Sequence, residues 1–135
     1  MRGRRFTHPK LAFSFTAPEG FLLENGPKAL LGVGDGGAEA LRLDSVRVSA
    51  ATPLETYLGS GWIEGLQQSS VETTTINGLP AALAVARGKE WSFRLAAIRF
   101  GTDVYRLIFA TRNLNADADG RFRAAIDTFR RISLE

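Results

Sequence analysis

The sequence predicts an α+β fold: a mainly antiparallel sheet with helices covering its faces. Three observations carry that prediction. Short segments alternate apolar and polar residues with the period of two that marks half-buried strands. Tight-turn signals separate consecutive segments, which favours antiparallel pairing. An apolar stripe of helical period closes the chain, and helices laid on such a sheet bury both partners economically.

The elements follow in order. Leu11, Phe13 and Phe15 alternate with Ala12, Ser14 and Thr16 as a strand, ended by the turn Pro18-Glu19-Gly20. Phe21 to Glu24 is extended, Asn25-Gly26-Pro27 turns, and Ala29 to Val33 is a short strand. Gly34 to Gly37 loops into a strand from Ala40 to Val48, with Leu41 and Leu43 on one face and Arg42 and Asp44 on the other. Thr52 is placed as the N-cap of a helix, with Pro53 at the first helical position and Glu55 two residues on. Leu54, Tyr57, Leu58 and Trp62 share one face of it, and Gly59 and Gly61 weaken its end. Val71 to Ile76 is a Thr-rich strand, joined to Leu79 to Val85 by Asn77-Gly78, the residues a type I′ turn with two positive φ angles demands.

Trp91 to Phe100 and Val104 to Thr111 form the clearest hairpin, joined by Gly101-Thr102-Asp103. Pairing Phe100 with Val104 puts Trp91, Phe93, Leu95, Tyr105, Leu107 and Phe109 on one face, and Ile98, Phe100, Val104 and Ile108 on the other. Both faces are apolar, so the hairpin is expected at the centre of the sheet, covered on both sides. The last helix is capped by Asn115 or Asp117. Phe122, Ala125, Ile126 and Phe129 form its inner stripe, and Arg121, Arg123, Arg130 and Arg131 its outer face.

A chain of 135 residues, 44% hydrophobic with nine Phe, two Tyr and two Trp, has the material for one core. The expected organisation is a disordered or expression-derived N-terminus over residues 1–5 and a single α/β accessory domain over 6–135. No Cys is present, which excludes disulfides, thiolate catalysis and Cys-ligated zinc. The net charge of +3 comes from basic residues that, beyond the first ten positions, stand mostly singly, unlike the clustered face of a nucleic-acid binder. No apolar run approaches the ~20 residues of a membrane helix, and no apolar stretch follows Met1-Arg2-Gly3-Arg4-Arg5 as a signal peptide requires. No nucleic-acid partner and no membrane insertion by this domain are expected.

Candidate chemistry is sparse. His8 is the sole histidine, so neither an HExxH zinc site nor a Ser-His-Asp triad is expected. The run Gly32-Val33-Gly34-Asp35-Gly36-Gly37 lacks the GK[ST] of a phosphate loop and leads into a strand, so it reads as a turn. Glu39, Asp44, Glu55, Glu64 and Glu72 show no acid–base pairing. Arg94, Arg99 and Arg106 on the central hairpin are read as structural: Arg99 over the Tyr105 ring, Arg106 on a carboxylate of a covering helix, with an anion site as the alternative. Tyr57 and Trp62 are read as core packing or as a partner-contact patch, since Trp and Tyr are enriched at interfaces. No catalytic residue, metal ligand or cofactor-binding residue is assigned in this chain.

Several phrases stand together in order: Phe6-Thr-His-Pro-Lys-Leu-Ala-Phe-Ser-Phe15, Ala17-Pro-Glu-Gly-Phe21, Thr75-Ile-Asn-Gly-Leu-Pro-Ala81, Phe93-Arg-Leu-Ala-Ala-Ile-Arg-Phe-Gly101, Tyr105-Arg-Leu-Ile-Phe-Ala110, and Phe122 through Phe129-Arg-Arg131. Over nearly its whole length the chain resembles the C-terminal domain of a group of alphaproteobacterial HExxH zinc metalloproteases, related to the CAAX-prenyl-protease-like envelope peptidases. More loosely, the pattern is similar to the PsbP-like and Mog-one-like α/β sandwich. The resemblance implies a non-catalytic accessory domain in the periplasm or cell envelope, the cytoplasm being the alternative. Its partner would be its own upstream protease domain or a protein substrate, with zinc only in the parent's catalytic domain. The competing reading is a stand-alone small-ligand-binding or hydrolytic α/β domain, which calls for convergent polar groups that the sequence does not display.

Overall fold

The computed structural model describes residues 5–8, 12–26, 29–60 and 62–132. The expected N-terminal tail lies outside them except for Arg5, which already pairs with Thr16 in a strand. The chain forms β1 (Arg5–His8), β2 (Phe13–Thr16), β3 (Leu22–Asn25), β4 (Ala29–Gly34), β5 (Glu39–Arg47), α1 (Leu54–Leu58), β6 (Leu66–Ile76), β7 (Leu79–Arg87), β8 (Ser92–Phe100), β9 (Asp103–Thr111), α2 (Ala116–Ile126) and β10 (Arg130–Arg131). Among the described residues every strand pairing is antiparallel. Two sheets result: β1-β2-β10, and a seven-stranded sheet in the order β3-β4-β5-β9-β8-β7-β6. The β8–β9 hairpin is central and buried, as its apolar residues on both faces require.

Its register differs from the expectation. Gly101 and Thr102 alone make the turn, with Gly101 at φ 63, so Phe100 pairs with Asp103 and Arg99 with Val104. One residue of slip exchanges the faces of one strand relative to the other. Leu95 therefore shares a face with Ile108 and Val104, and Ile98 shares the opposite face with Tyr105, Leu107 and Phe109. Arg99 accordingly lies away from the Tyr105 ring.

One face of the large sheet carries the main core. Phe13, Phe15, Phe109, Phe122 and Phe129 are fully buried there, each contributing roughly 1.5–3 kcal/mol by burial alone. The rings of Phe109 and Phe122 stack at 4.5 Å, and those of Tyr105 and Phe129 lie 5.0 Å apart. The cover on this face is shared: α2 contributes Phe122, Ala125 and Ile126, and the small sheet contributes Phe13 and Phe15. Helices thus cover less of the sheet than expected.

Asn115 caps α2, its side chain accepting from Ala118 N at 2.8 Å. The helix stops at Ile126, three residues short of Phe129, the last member of the stripe. Phe129 is buried from beyond the helix end, and Arg130 and Arg131 form β10 against β2 instead of the outer face of the helix. Asn77 (φ 50) and Gly78 (φ 83) both take positive φ in the β6–β7 turn, as their sequence demands. In the Gly32 to Gly37 run the turn proper holds Gly36 and Gly37 at positive φ. Gly32 and Gly34 belong to β4, where a Cβ would come within 2.9 Å of Leu23 and Leu41, and within 2.8 Å of the Phe21 ring.

Candidate functional site

The second face of the large sheet is built on small residues. Ala82, Ala84, Ala86 and Ala97, with Leu95 and Val104, form a floor on which Leu54 and Leu58 of α1 are buried. The alanines let this helix lie close to the strands. It is only five residues long, too short to be stable without that contact. Pro53 occupies the N-cap position and no side chain caps the helix, so Thr52 does not have the expected role. Thr52 instead offers its carbonyl to Arg99 Nη2 at 2.5 Å, and Arg99 Nη1 reaches the Ser49 and Gly101 carbonyls at 3.3 and 3.2 Å. Arg99 ties the segment entering α1 to the hairpin.

Tyr57 leans from α1 toward the centre of the sheet, where Arg106 organises the site. Arg106 donates from Nε and Nη2 to both oxygens of Asp44, at 2.9 and 2.7 Å, and from Nη1 to the Tyr57 hydroxyl at 3.1 Å. Its guanidinium lies 5.3 Å from the centre of the Trp62 ring. The rings of Tyr57 and Trp62 stack at 6.2 Å, inclined by 30°. Hydrogen bonding to Asp44, set against desolvation, raises the Arg106 pKa above its ordinary value and holds the group cationic. Asp44 stands opposite Arg106 on the neighbouring strand β5, not on a covering helix as expected.

Of the two aromatic residues singled out from the sequence, Tyr57 sits on α1 and Trp62 follows the helix end, yet the fold brings them together over one guanidinium. Both are half-buried. Asp44 was legible only as an isolated carboxylate. Its alternation with Leu41 and Leu43 put it on the correct face, but its pairing with Arg106 depends on the β5–β9 register. Arg94 serves the opposite face, donating to both oxygens of Asp119 on α2 at 2.7 and 2.9 Å, and its third nitrogen is buried without a hydrogen-bond partner. The His8 side chain lies outside the described residues.

Beside the Tyr57–Trp62 shelf the same face continues without cover. Directly opposed residues point to one side of a sheet, so Leu22, Val33, Ala40, Ala110 and Phe93 form one apolar row across β3, β4, β5, β9 and β8. Leu22 is 70% exposed, Val33 50% and Leu31 in the adjacent row 41%. The arrangement supplies a fixed aromatic shelf, a saturated ion pair and an apolar surface, which suit contact better than proton transfer. Among the described residues no three His, Cys, Asp or Glu side chains converge as metal ligands, and no helix is long and apolar enough to cross a membrane.

No protein-family model and no curated protein matches the sequence. Solved structures do share the fold. Cyanobacterial PsbP (CyanoP) from Synechocystis sp. PCC 6803 aligns with a TM-score of 0.73 at 12% identity, over 97% of this chain and 94% of that one. A protein of Bacteroides thetaiotaomicron VPI-5482 aligns with a TM-score of 0.70 at 16% identity, over 98% of this chain and 50% of that one. This chain therefore spans half the length of the Bacteroides protein. At these identities the likeness is one of fold: the chain is a PsbP-like α/β sandwich, sheet-dominated, with two helices among the described residues.

Proposed function

We propose that this chain is a non-catalytic accessory domain that contacts a protein partner through the Tyr57–Trp62 shelf and the apolar row beside it. The half-exposed Trp62 carries this reading. It is held by stacking on Tyr57 and by Arg106, so little side-chain entropy remains to be lost when a partner covers it. The partner is the domain's own upstream zinc-protease domain, or a protein substrate of that protease, in the periplasm or cell envelope. Zinc belongs to the parent's catalytic domain, and this chain holds no cofactor of its own. The chain phrases quoted above support that parentage, and the Bacteroides neighbour, twice as long, is consistent with a fold that occurs beside further chain.

Titration of the chain against the catalytic domain encoded upstream tests the reading. We expect saturable binding that Trp62→Ala weakens at least tenfold, about 1.4 kcal/mol. Binding indifferent to Trp62 would move the contact elsewhere, and an upstream reading frame without HExxH would end the protease parentage. Turnover of a casein substrate by the isolated chain with zinc would overturn the non-catalytic assignment.

A further inference from the structure

We propose that Asn77 is a spontaneous deamidation site, guarded in the folded chain by the C-terminal clasp it holds, and that its reaction loosens that clasp. Two observations meet at this residue. Asn77 precedes Gly78 in an exposed turn, and no atom stands within 4 Å of the position a Gly78 Cβ would take, so nothing shields the following backbone nitrogen by bulk. The Asn77 side-chain amide also donates to two carbonyl oxygens across the fold, Asp127 O at 3.1 Å and Phe129 O at 2.6 Å. The turn needs only a residue that tolerates positive φ, which Asp or Gly also supplies. The double donation needs an amide.

The chemistry requires water alone. The Gly78 backbone nitrogen attacks the Asn77 side-chain carbonyl carbon; the new carbon–nitrogen bond closes a five-membered imide, the carbon–Nδ2 bond breaks, and ammonia leaves. Water then opens the imide at either carbonyl, leaving aspartate or isoaspartate. While Nδ2 is bonded to the carbonyls of residues 127 and 129, the side chain is kept from swinging onto Gly78. Reaction in the folded chain must therefore wait for the clasp to open. The product carries acceptors where the amide carried donors, so it cannot re-form the two bonds. Arg130 and Arg131 line a hollow of about 400 Å³ together with Asn77 and Leu79, and draw the new carboxylate away from the carbonyls. The residues flanking β10 keep their other ties, Ile132 N to Ala12 O at 3.1 Å and Thr16 N to the Thr128 hydroxyl at 2.8 Å, so the clasp loosens and the fold remains.

The full chain and a free peptide spanning residues 73–82 are incubated at pH 8.5 and 37 °C, and peptide mapping by mass spectrometry separates Asn77 from the chain's other Asn-Gly pair, Asn25-Gly26. We expect Asn77 to react at least tenfold more slowly in the folded chain than in the peptide. Sub-denaturing urea is expected to accelerate it before the main unfolding transition. The reacted chain, isolated by ion exchange, is expected to lose about tenfold in hydrogen-exchange protection at Phe129 and Ile132, with β8 and β9 unchanged. Reaction at the peptide rate would remove the guard, no reaction at Asn77 even in urea would remove the site, and unchanged protection at Phe129 and Ile132 would remove the clasp.

Discussion

The two faces of the seven-stranded sheet are closed in different ways. Over one, α2 and the small sheet bury five phenylalanines completely. Over the other, a five-residue helix rests on alanines, an arginine links strand, helix and tryptophan, and the strands beyond are left bare with Leu22, Leu31 and Val33 exposed. The first face has the composition of a stability core, large rings in close contact. The second has small residues beneath and amphipathic aromatics above, a surface that a partner can cover without rearranging the core.

The largest expected effects fall on the first face. Phe129→Ala should cost about 3–5 kcal/mol, because the ring is fully buried between Phe13 and Tyr105. Truncation after Asn115 removes Phe122, Ile126 and Phe129 together, and near-UV circular dichroism should then show no cooperative transition. A transition near the full-length midpoint would mean that the small sheet alone closes this face. On the second face, Asp44→Asn leaves Arg106, 21% exposed, without its charge partner. A loss of about 2–3 kcal/mol in urea unfolding is expected, with a change in Trp62 fluorescence as the shelf relaxes. A smaller cost would mean that Tyr57 and Trp62 hold Arg106 without Asp44.

Gly78→Val forces a β-branched residue to φ 83 and should cost about 1–3 kcal/mol, visible as a lower melting temperature. Leu22→Ser combined with Val33→Thr should change stability by no more than about 0.5 kcal/mol, since both side chains are already in water. A urea midpoint lowered by more would show that the row is covered within the chain.

A small effect is also expected with pH. The Arg123 hydrogen bond holds the Glu72 carboxyl below its ordinary value of 4.5, against a smaller opposing penalty from burial. A depressed folded pKa gives stability that is present above the unfolded value and is lost as pH falls from there through the folded value. Glu72 is 46% exposed, so solvent screening keeps the contribution under about 1 kcal/mol. Glu72→Gln should lower the melting temperature slightly near neutrality, and its difference from the parent chain should shrink as pH falls below about 4.5.

Much of the strand layout could be read in advance, because the period of two and the chemistry of Asn77-Gly78 are local properties. The extension of β6 back to Leu66 could not, since Gln67, Gln68, Ser69 and Ser70 carry no apolar alternation and the pairing with β7 is interrupted by an irregularity between Gln67 and Glu72. β10 was hidden for a different reason. Phe129 continues the helical spacing of Phe122 and Ile126, and only contact with Phe13 and the Asn77 donation to Phe129 O take the chain out of the helix there. At the candidate site Tyr57 and Trp62 stood out as aromatic residues beside glycines, but their meeting over Arg106 depended on where α1 ended.

By itself the sequence determined the class of fold, the central place of the β8–β9 hairpin, the positive-φ turn at Asn77-Gly78 and the burial of the last helix. Each follows from residue chemistry or from spacing within a few positions. The tertiary structure alone decided which residues of different strands share a face and what each arginine holds. A hairpin turn shorter by one residue than expected exchanges the sides of an entire strand, and the partners of Arg94, Arg99 and Arg106 lie 25, 47 and 62 residues away in the chain, at Asp119, Thr52 and Asp44. Such pairings are selected by the register of the whole sheet, a property that no local window contains.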